Sequence, residues 1–239
     1  MSEQEVIKHT KRVFGIWTTQ STFLHKLSEF ITEILIIVFA ITLSIYFHDR
    51  SQLRHQRREA KEFLLGLKED LKTDIAEMKD DKNSYQKGSL AFKYITGRKL
   101  NEPLNADTIS KYSQWILNTT GLIPNNGRFE GFKSSGKIGT IEDVELQNNI
   151  MDLYQEDIPT LLASTNAYTT RKLKLFDYIA ANTKRITDTT INLPAVLASE
   201  QGFNLCMGLT FIDEILNRYD TCINKMQTIT SEINRDYGQ

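Results

Sequence analysis

The chain has 239 residues, 29 Lys plus Arg, 30 Asp plus Glu and a net charge of −1. That balance gives no argument for nucleic acid as a partner. Only 4 prolines and 12 glycines occur, which favours long helices over a sandwich or barrel. Cys206 and Cys222, the sole cysteines, are sixteen positions apart. On one helix they would point to nearly opposite faces, so no bridge and no metal spacing is expected.

Residues 1–20 form a polar, partly basic tail with Phe14 and Trp17, and Ser21 or Thr22 is placed to cap a helix. Phe23, Leu24, Leu27, Phe30 and Ile31 give that helix an apolar side. Residues 34–47, ILIIVFAITLSIYF, carry no charge and no helix breaker. At 1.5 Å per residue this run covers ~21 Å, and counting from Phe30 gives ~27 Å against a ~30 Å hydrocarbon core. Residues 30–47 therefore read as a transmembrane helix in the lipid bilayer, following a 1–29 tail and interfacial helix start. Trp17 and Phe23 would mark one interface, Tyr46 and His48 the other. A signal peptide fits poorly because a strongly basic flank and no small-residue cleavage site follow. A buried core helix is the competing structural reading.

Residues 48–239 read as a helical bundle, coiled-coil-like in its spacing. Leu64, Leu71, Met78 and Tyr85 recur every seven residues, with Leu67 and Ile75 beside them. Gly97, Pro103 and Asn105 mark a loop. Asp107 is then expected to cap a short helix carrying Ile109, Tyr112, Trp115 and Ile116, closed by Gly121. Residues 121–140 look irregular. A helix with 3-4 apolar spacing follows through Met151, Tyr154, Ile158, Leu161, Tyr168, Leu175 and Ile179, and Pro159 should kink or restart it. Asn192 and Pro194 mark the next break. The last helix shows seams at 205, 212, 219, 226, 233 and at 209, 216, 223, 230, 237, with Leu216 mid-seam and Lys225 off it. The fold class expected is all-α, one membrane helix continuing into three or four long packed helices.

Residues 30–75, FITEILIIVFAITLSIYFHDRSQLRHQRREAKEFLLGLKEDLKTDI, resemble the start of a family of uncharacterised bacterial single-pass membrane proteins, a domain of unknown function. Glu33, Ile34, Leu64, Leu67, Asp70, Leu71 and Asp74 match its pattern. Thr32 stands where the family has Gly, and Phe47-His48-Asp49-Arg50 where it has Asn-Asn-Trp-Asn. A second similarity is the Lys133-Ser134-Ser135-Gly136-Lys137 stretch ahead of a leucine-led helix. The resemblance covers roughly residues 30–160. It implies a bacterial inner (plasma) membrane location and a topology, and no activity.

Several constellations carry candidate functions. At 100° per residue Glu33, Ile37, Ala40, Ser44 and Phe47 share about a 90° sector, with Lys26 and Glu29 on the same side. Ala40 and Ser44 form a small-xxx-small pair, suited to a self-associating helix interface. A membrane-edge carboxylate such as Glu33 also suits an ion path, against a bland position at the headgroups. Lys133 to Lys137 lacks P-loop spacing, because Ile138 follows Lys137. A tight interhelix connection is expected there, with phosphate or headgroup binding as the alternative. Arg50, Arg54, Arg57 and Arg58 serve topology or hold lipid headgroups.

The histidines, His9, His25, His48 and His55, all lie at or near the apolar run, and no Cys-His pair, HExxH or nucleophile elbow is present. Asp and Glu are expected on solvated helix faces. These features predict no enzyme, no cofactor and no metal. They predict a membrane-anchored scaffold or subunit of a membrane complex, a homo-oligomer with other membrane proteins as further partners. The alternatives are a ligand-sensing bundle, which normally adds a second membrane helix and an output module, and a channel or gating subunit. Basic residues after the run favour a cytoplasmic C-terminal domain, whereas translocating a charged 29-residue tail weighs against it.

Overall fold

The structure, a computed structural model, describes residues 23–99, 102–188 and 190–238. The tail, the Ser21/Thr22 cap and the side chains of Phe23, Leu24, His25 and Lys26 lie outside the described residues. Two units are delimited, Met1–Gln56 and Arg57–Gln239. The first described helix, α1 (Phe23–Thr96), enters both.

In the first unit every described side chain from Leu27 to His55 is exposed. Leu35, Ile36 and Phe39 are 61%, 62% and 68% exposed. Thr32 and Thr42 turn their hydroxyls onto their own helix, donating to the Ser28 and Val38 carbonyls at 2.8 Å. That internal bonding removes free polar atoms from an otherwise apolar surface.

The second unit is a helical bundle with no strand among the described residues; a single bridge pairs Arg185 with Ile191. Its packed face begins at Ala60 and continues through Leu64, Leu67, Leu71, Met78, Tyr85, Phe92 and Ile95, all buried. The heptad row expected from the sequence is thus buried within the chain's own bundle. Helices α2 (Ala106–Leu117), α3 (Gly127–Ser134) and α4 (Val144–Asp152) follow, then α5 (Ile158–Asn182), α6 (Leu193–Ala198), α7 (Glu200–Met207) and α8 (Asp213–Tyr237). Tyr85 of α1 packs against Tyr168 of α5 and Tyr219 of α8, with ring centroids 5.1 and 5.8 Å apart.

Several local expectations need correction. The cap of α2 is Asn105, whose side chain accepts from Thr108 N–H at 2.9 Å, and not Asp107, which lies in the first turn. The same helix stops at Leu117, short of Gly121. Residues 121–140 are not wholly irregular: they hold α3 and a 3₁₀ turn at Ile138–Thr140. Phe129 anchors α3 in the core, and Phe132 stacks on Phe63 at 4.0 Å.

Pro159 does restart its helix. A π-helical turn at Leu153–Asp157 precedes it, and Ile158 N–H reaches back to the Leu153 carbonyl. The wider turn relieves the clash between a proline ring and the carbonyl four residues earlier.

The expected continuous last helix is broken between α7 and α8. The carbonyls released at the break find donors elsewhere. Tyr168 OH donates to Leu209 O at 3.3 Å and Ser89 OH to Thr210 O at 3.1 Å. Inside α8 the buried row includes Ile215, Cys222 and Ile229 beside Tyr219, Met226 and Ile233, while Leu216 is only partly buried. Lys225, expected to be a bystander, bridges Asp152 at 3.4 Å and Asp157 at 3.2 Å. The two cysteines sit on different helices, each buried and free.

Candidate functional site

The sequence predicts carboxylates on solvated faces, yet Asp74 and Asp81 are buried in the inner face of α1. With Asp70 and Glu77 they form one stripe of four acids at 70, 74, 77 and 81; Asp74, Glu77 and Asp81 bind the segment that joins α2 to α3, and Asp70 binds the first turn of α3. Asp70 pairs with Arg128 at 2.9 Å. Asp74 accepts from Asn125 N–H at 3.1 and 3.2 Å and from its side-chain amide at 2.5 Å. Glu77 accepts from Ile123 N–H at 3.1 Å. Asp81 accepts from the Thr120 hydroxyl and from Tyr219 OH at 3.1 Å. The acids thereby satisfy donors of an otherwise helix-free stretch. Burial lifts the carboxyls of both Asp74 and Asp81 above the ordinary aspartate range, and the bonds they accept oppose that rise.

Beyond Asp81, two connected openings share Thr119, Thr120 and Thr169. One is a cavity of about 280 Å³ walled by Tyr85, Trp115, Tyr168 and Lys172. Lys172 is 6% exposed, and its ammonium donates to Trp115 O at 2.7 Å and to Asn118 O. These carbonyls end α2, where the helix dipole favours a cation. Burial holds the Lys172 pKa down, to about 8. Tyr85 OH donates to Thr120 O at 3.0 Å and closes one wall.

This site escaped the periodicity of the sequence, but a signal for it was there. The second heptad row of α1 is Leu67, Asp74, Asp81, Gly88, Ile95. Its ends are apolar and its middle is not. Polar or missing side chains at buried seam positions mark the place where a bundle is doing something other than packing.

The residues singled out from sequence fall elsewhere. Glu33, Ile37, Ala40 and Ser44 are exposed along α1 in the first unit. Arg50 donates to Tyr46 OH at 3.2 Å, Arg54 is exposed, Arg57 pairs with Glu142 at 2.6 Å, and Arg58 lies 4.0 Å from Glu62. Lys133, Ser134, Ser135, Gly136 and Lys137 terminate α3. Gly136 has φ +72, with Gly136 N–H on Lys133 O at 2.9 Å and Lys137 N–H on Phe132 O at 3.2 Å. That is a Schellman ending, and Lys137 is further tied to Glu59 at 2.7 Å. The stretch is thus the tight connection expected. Among the described residues no group of three or more His, Cys, Asp or Glu is arranged to hold a metal.

Comparisons with family models, with curated proteins and with solved structures give no match to this chain.

Proposed function

We propose that this chain is a non-enzymatic, membrane-anchored helical scaffold, held by residues 30–47 and presenting the bundle to other membrane proteins or further copies of itself. One observation carries the reading. The most apolar stretch of the chain is a helix whose apolar window has no buried residue among the described residues. Apolar surface on that scale is unfavourable in water, at about 25 cal/mol per Å². A helix satisfies its own backbone and needs only an apolar surround, which a bilayer supplies. The basic residues after Phe47 fit the headgroup level. The resemblance to single-pass bacterial membrane proteins agrees with this topology and with a plasma-membrane location.

The test is extraction of membranes with alkaline carbonate. The intact chain should stay in the pellet, and a variant with Ile36, Val38 and Ile41 all changed to Asp should not. Release of the unaltered chain into the supernatant would refute the anchor.

A further inference from the structure

Lys172 uses two of its three N–H donors on backbone carbonyls, and among the described residues its ammonium forms no ion pair. A buried charge without a counter-ion is costly and calls for a partner. The cavity beside it supplies the room, with hydroxyls of Ser84, Thr120 and Thr169 and the rings of Trp115 and Tyr168.

A second observation is independent of the lysine. Gly88 lines the same cavity, in the middle of α1. A glycine within a helix costs about 0.5–1 kcal/mol relative to alanine. Packing does not demand it, because an added Cβ would meet only ordinary contacts, 3.7 Å from Trp115 O and 4.0 Å from Phe92. What glycine does here is keep the cavity open.

We propose that this cavity is a binding site for a small organic monocarboxylate, whose charge pairs with the Lys172 ammonium and whose body lies between the Trp115 and Tyr168 rings. Its volume is just below the ~300 Å³ at which sites for drug-sized ligands begin. A lone ammonium, with no arginine fork among the lining residues, suits a carboxylate better than a phosphate. Glu77 and Asp81 line the adjoining opening and would repel a second negative charge. The proposal does not rest on the membrane anchor.

The experiment is isothermal titration of the full chain in detergent micelles with acetate, benzoate and inorganic phosphate. Saturable binding of either carboxylate is expected, weakened at least tenfold in Gly88→Leu and in Lys172→Met, with phosphate weaker than the carboxylate. At pH 8.5 two buffers of different ionisation enthalpy should reveal proton uptake on binding, since the anion favours the charged lysine. Should the larger substitutions impair folding, Gly88→Ala narrows the same cavity in a helix it does not strain, and weaker binding there is expected. No saturable carboxylate binding in the parent chain, equal binding by phosphate, or affinity unchanged in the folded Gly88 variants would overturn the proposal.

Discussion

Asp74 and Asp81 are both buried acids seven residues apart on one helix, yet their partners differ in kind. Asp74 faces N–H groups of Asn125, which only donate; Asp81 faces the hydroxyls of Thr120 and Tyr219, which donate or accept. Asp81→Asn therefore keeps a satisfied network after the hydroxyls rotate, and its stability at pH 7 should change by less than about 1 kcal/mol. Asp74→Asn sets an amide donor against donors and should cost about 1–3 kcal/mol. Urea denaturation followed by circular dichroism separates the two. The pH dependence has a definite sign. Both folded-state pKa values lie above the unfolded value, so the native state holds these protons more readily. Their contribution to stability then improves as pH falls through the folded pKa toward the ordinary aspartate range. Asp81→Asn should flatten that part of the profile. Spacing marks both positions as polar within a seam but cannot name their partners, because Asn125 lies 51 residues from Asp74 while Thr120 and Tyr219 lie 39 and 138 residues from Asp81.

At the scale of elements, the long helices were legible and their ends were not. Leu64, Leu71, Met78 and Tyr85 read correctly as one face because a 3.6-residue turn brings heptad positions back into line. Helix α3 escaped because Gly127 and Gly131 within it suggest a loop. Tertiary contacts of Phe129, Phe132 and Arg128 hold it instead. Its glycines make opposite predictions. Gly136 is left-handed, so Gly136→Ala should destabilise by about 1–2 kcal/mol. Gly131 is helical with nothing within 4 Å of an added Cβ, so Gly131→Ala should stabilise by about 0.5–1 kcal/mol. Thermal denaturation of the two variants gives the comparison. In α8 the decisive seam is Ile229 and its neighbours more than Leu216. Ile229→Asp should unfold the bundle, Leu216→Asp should weaken it less, and the exposed Gln227→Asp should leave the helical signal intact. An unfolded Gln227→Asp would contradict the assigned face. Lys225 is no neutral control, since an acid there would stand beside Asp152 and Asp157.

For the whole molecule, the reading as an assembling membrane protein concentrates on the stripe Glu33, Ile37, Ala40 and Ser44. Small residues at 40 and 44 permit close helix approach. Cysteines introduced singly at Ala40 and Val38 should crosslink strongly at 40 and weakly at 38 in native membranes. Ala40→Leu with Ser44→Leu should weaken the oligomer without preventing insertion. The reverse crosslinking pattern would place any assembly in the bundle instead. Such experiments usually begin by stripping natural cysteines, but burial pushes both native thiols up to about 12 and keeps them from solvent. A thiolate is the reactive form, so alkylation of Cys206 or Cys222 has to wait for the domain to open. The pair is therefore an internal clock: their labelling rate reports how often the bundle opens, with no added probe.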